Sequence, residues 1–65
     1  MNRKYKMTWV VEIVNAITGS VLERYTGFDS YNEADAKRLQ LKMDNYSKRD
    51  WLNFFISPSP DQAPQ

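Results

Sequence analysis

Apolar and polar positions group into three strand-like blocks and one block with helical spacing. The stretch "MTWVVEIV", residues 7–14, is dominated by Val, Ile and Trp, which suit a pleated, half-buried strand. "NAITGS" follows. Asn15 has a side chain that bonds its own turn, and Gly19 takes positive φ at no steric cost. A hairpin loop of about four residues, 16–19, is expected. "VLERYTGF" supplies the second strand, from Val21 to about Thr26, interrupted at Gly27.

That loop sets a register. Val14 is expected opposite Val21, Ile13 opposite Leu22, Val11 opposite Arg24 and Val10 opposite Tyr25. Glu12 then opposes Glu23, an arrangement costly if buried and mild in water. The core face is therefore assigned to Trp9, Val11, Ile13 and Leu22, with Met7 and Phe28 near its end. Val10, Val14, Val21 and Tyr25 fall on the other face.

"SYNEADAKRLQLKMDNYS" reads as a helix. Ser30 and Glu33 form a capping box. Asp29, Glu33 and Asp35 suit the positive end of the helix dipole, and Lys48 and Arg49 the negative end. Ala36, Leu39, Met43 and Tyr46 follow spacings of three, four and three and are expected to pack inward, leaving Leu41 outward.

The third strand, residues 51–56, is apolar on both sides. Leu52, Phe54 and Ile56 point one way, Trp51 and Phe55 the other. "SPSPDQAPQ", residues 57–65, reads as a disordered Pro-rich tail. Residues 1–6 read as a basic, partly ordered segment, and 7–56 as the single domain. A strand, strand, helix, strand order with a right-handed crossover places the third strand beside the first. The expected fold is α+β: a small ββαβ domain, a three-stranded antiparallel sheet in order 2-1-3, with one helix packed on one face.

Composition narrows the function. A chain of 65 residues sits near the lower limit for a self-sufficient core, and it has no cysteine and no histidine. Disulfides, thiolate metal sites and the commonest general base are excluded. No cofactor and no enzymatic activity are expected; the only glycines, Gly19 and Gly27, form no phosphate loop. The basic "MNRKYKM" start is followed by no uncharged apolar run, so no signal peptide, no membrane span and a cytoplasmic location are expected.

One helix covers one face. Val10, Val14, Val21, Tyr25, Trp51 and Phe55 are left on the other, an apolar patch of the kind that marks an interface. The expected function is a non-catalytic protein-binding module, a homodimer or a stoichiometric regulator or inhibitor, that occludes a partner's surface. The alternative is a nucleic-acid-binding module using the sheet aromatics with Lys37, Arg38, Lys42, Lys48 and Arg49, and with Arg3, Lys4 and Lys6 near or far. Against it, nine basic and eight acidic side chains nearly cancel.

Overall fold

The structure, a computed structural model, describes residues 7–60. Two strands, β1 (Met7–Asn15) and β2 (Val21–Phe28), form a hairpin. An α-helix, α1 (Tyr31–Asp44), follows, then a 3-10 segment, Tyr46–Trp51, and a last strand, β3 (Leu52–Pro60). The sheet order is β2-β1-β3 and both pairings are antiparallel. α1 packs on the sheet, chiefly on β1 and β3 and less on β2. Among the described residues no helix is long and apolar enough to cross a membrane.

The hairpin loop forms where its residues predict. The Asn15 amide donates to the Ser20 carbonyl and the Gly19 amide to the Asn15 carbonyl, each at 2.8 Å. The Asn15 side-chain oxygen accepts from the amides of Ile17 (2.8 Å) and Thr18 (3.0 Å). Gly19 sits at φ +81, where a side chain would be strained.

Val14 pairs with Val21 as expected, but Leu22 is an extra residue on β2, so Ile13 opposes Glu23, Glu12 opposes Arg24 and Val11 opposes Tyr25. A one-residue slip moves every later side chain to the opposite face. Leu22 is thereby half exposed instead of core, and Tyr25 moves onto the helix side. The bulge also removes the conflict of two facing glutamates: Glu12 now meets the Arg24 guanidinium at 3.4 Å. A second irregularity places Thr26 and Gly27 opposite the single residue Val10, and Gly27 takes φ +87 to accommodate it.

The core is small. Val11, Ile13, Ala34 and Leu41 are buried together, with Trp9, Tyr25, Phe28, Leu52, Phe54 and Ile56 partly buried around them. Ser30 caps α1 as expected, its hydroxyl accepting from the Glu33 amide at 3.1 Å, while the Glu33 carboxylate accepts from the Asp29 amide at 3.2 Å. The rotation of the helix differs from expectation. Ala34 and Leu41 face the sheet, whereas Leu39 (48 % exposed), Met43 (76 %) and Tyr46 (63 %) face outward.

Contacts at both flanks hold that rotation. The Tyr31 ring stands edge-on to Trp9, 5.3 Å between centroids, and the Lys37 ammonium lies 4.8 Å from the centre of the Tyr25 ring. Only two residues, Asp29 and Ser30, separate β2 from α1, so the connection leaves little freedom in phase. Ala34, the small residue at the buried centre, lets the helix sit close to Val11 and Ile13.

β3 also differs. Trp51 ends the 3-10 segment instead of opening the strand, and pairing with β1 continues through residues 57–60, which were expected to be a tail. Met7 pairs with Pro60, and the Thr8 hydroxyl donates to the Ser59 carbonyl at 2.9 Å. The expectations for residues 1–6 and 61–65 lie outside the described residues.

Candidate interaction surface

β-pairing assigns the faces. On the side away from the helix, Phe55, Glu12 and Arg24 form one row, and Asn53, Val14 and Val21 another; Ser57 opposes Val10. Of the six residues expected to share this surface, Val14, Val21 and Phe55 do, with Val21 and Phe55 each about half exposed. Val10 lies on this side but is only 2 % exposed, so it has almost no area left to offer. Tyr25 belongs to the other face for the reason given above. Trp51 is exposed but stands before the strand. The open face is thus a mixed surface, with an ion pair across its centre, and less apolar than the sequence suggests.

The residues missed are on and just after the helix. Leu39 and Met43 form the outward stripe of α1, Tyr46 continues it at the start of the 3-10 segment, and Ala36 beside them is exposed too. Their spacing marks them as one stripe in the sequence; what the sequence lacks is the direction that stripe faces.

The basic candidates are spread over the helical region and several hold local partners. Arg38 donates twice to the Asp35 carboxylate, at 2.7 and 3.1 Å. Lys37 is held over Tyr25, whose hydroxyl donates to the Glu23 carboxylate. That bond first, then burial and the charge of Glu23, raise the Tyr25 pKa above its ordinary value of 10.0. Arg49 stacks over Tyr46 at 4.0 Å and donates to its carbonyl at 2.8 Å. Lys42 and Arg49 line a cleft of about 400 Å³ with Asp50, Leu52, Asn53 and Phe54. Lys48 lies in the exposed 3-10 segment.

Among the described residues no group of three or more carboxylates gathers at metal-binding distance. The described surfaces offer apolar side chains and unpaired backbone at the sheet edges. No family model, no curated protein and no solved structure matches this chain.

Proposed function

We propose that the chain is a non-catalytic protein-binding module that occludes a partner's surface by burying apolar side chains. One observation carries this reading. Five apolar residues are buried among the described residues, against ten large hydrophobics that are about half exposed or more. Apolar surface on that scale marks interaction sites in soluble chains, and small domains gain most by covering it. The outward stripe of α1, with Tyr46 just after it, and the Val21–Phe55 side of the sheet hold five of the ten.

Paired charge substitutions test the reading. Leu39→Asp with Met43→Asp alters the helix stripe, and Val21→Asp with Phe55→Asp the sheet. All four residues are exposed, so helical circular dichroism should persist. Loss of association by either pair, read by light scattering or by recovery of a partner, supports the reading. A chain that stays monomeric at high micromolar concentration and binds no protein overturns it. Oligonucleotide binding with a steep salt dependence would replace it with the nucleic-acid alternative, because phosphate contacts release counterions.

A further inference from the structure

β3 is an edge of the sheet, with β1 on its inner side. The Ala16 amide donates to the Trp51 carbonyl at 2.8 Å, continuing the β1–β3 ladder, and Leu52 after it is extended, with φ −127 and ψ 145. In an antiparallel strand the N–H and C=O of one residue point the same way, and the direction alternates along the chain. Residues 53, 55, 57 and 59 therefore turn their backbone groups toward β1. Leu52, Phe54, Ile56, Pro58 and Pro60 turn theirs outward. The two prolines occupy positions where a missing donor costs no ladder bond, and they blunt that end of the edge. Leu52, Phe54 and Ile56 keep their donors and acceptors.

We infer that this edge pairs antiparallel with the same edge of a second copy, around a two-fold axis through Phe54. The inference rests on the protein-binding reading and names the partner. Phe54 then opposes the partner's Phe54, and Leu52 the partner's Ile56. All three outward donors on each copy meet acceptors, and Pro58 and Pro60 fall beyond the start of the partner's strand. An axis at Ile56 would set Pro58 and Pro60, which have no donor, against Phe54 and Leu52 and leave the carbonyls of those two residues unpaired. An axis at Leu52 would set Phe54 against Asp50, which belongs to the 3-10 segment. The result is one six-stranded sheet with both helices on the same face.

Helix spacing agrees. α1 lies over β1 and β3. With strands about 4.8 Å apart, its axis is about 5 Å from the two-fold, so the helices lie about 10 Å apart, at the packing distance of paired helices. Lys37 over Tyr25 turns one flank of α1 toward β2, and Lys42 beside Leu52 and Phe54 turns the other toward the free edge. That second flank of α1 carries Asp35 and Lys42, with Leu39 at its border with the outward stripe, at spacings of four and three.

Tyr31, in contact with Trp9, is level with Pro58. Phe54 lies four strand residues away, about 13 Å, which α1 covers in about nine residues, so Leu39 stands level with the axis. It meets the partner's Leu39, and Asp35 faces the partner's Lys42. Leu39, Tyr46, Trp51 and Phe55 lie on β3, immediately before it or on the flank above it, and all are about half exposed or more. Their exposed parts total roughly 400 Å² per copy, which sets the most they can add toward the about 800 Å² that a standard interface buries on each side. The paired strands and helix flanks supply the rest.

Sedimentation of the full chain up to high micromolar concentration tests this. Ile56→Pro removes one outward donor, while Ile56→Ala trims the same side chain and keeps the donor. The unaltered chain and Ile56→Ala should sediment as dimers. Ile56→Pro should weaken the dimer roughly tenfold or more. The chain has no cysteine, so Leu39→Cys gives a second reading that decides even where the proline variant fails to fold. Oxidation should cross-link Leu39→Cys and leave Ala36→Cys single. A dimer that survives Ile56→Pro, or fails to cross-link at Leu39→Cys, overturns the edge pairing and leaves the protein-binding reading standing. A monomer throughout overturns the edge pairing too, and the protein-binding reading then stands or falls on a different partner.

Discussion

Leu39 and Leu41 are two residues apart and lie on opposite sides of the helix. Leu41 is 6 % exposed and touches the core, while Leu39 is 48 % exposed. Leu41→Ala should cost about 2–5 kcal/mol as a buried deletion. Leu39→Ala should stay within about 0.5 kcal/mol in the single copy. Urea unfolding at low chain concentration measures both, and equal losses would contradict the helix rotation. Glu12 follows the same logic of pairing. Its partner is Arg24 instead of Glu23, an exposed contact worth at most about 1 kcal/mol, so its weight is in register more than in stability.

At the scale of elements, β2 is governed by its two irregularities. The extra residue Leu22 turns Tyr25 inward, and Gly27 at φ +87 closes the strand toward Phe28. A Cβ at Gly27 would meet nothing within 4 Å, so any cost of substitution there is conformational. Gly27→Ala should therefore destabilise by about 1–2 kcal/mol. Thermal unfolding measures it, and a gain in stability would mean that the backbone does not need positive φ. β3 shows the opposite case: a strand that runs through two prolines because both fall on the outward side.

For the whole molecule, the ratio of core to surface decides. A buried cluster of Val11, Ile13, Ala34 and Leu41 is little for one small domain to stand on. The proposed association, which would bury the β3 edge and the flank of α1, would add to stability by mass action. The melting temperature should therefore rise with chain concentration, by calorimetry at two concentrations or more. A melting temperature independent of concentration would leave the single copy as the stable unit.

The amino-acid sequence by itself determines the elements and their order. Local signals suffice for these: strands rich in β-branched and aromatic residues, a turn opened by Asn15 and closed by Gly19, a Ser–Glu capping box and a crossover that places β3 beside β1. It also determines which helix residues share a stripe. Tertiary structure decides which way each surface faces. The Leu22 bulge is invisible to alternation, because one unpaired residue reverses the side chains after it, as far as the Thr26–Gly27 irregularity, at no cost in local propensity. The helix phase follows from the Trp9–Tyr31 and Tyr25–Lys37 contacts and a two-residue connection, not from its apolar content. The strand character of residues 57–60 depends on a partner, β1, more than forty residues away, which local composition does not contain.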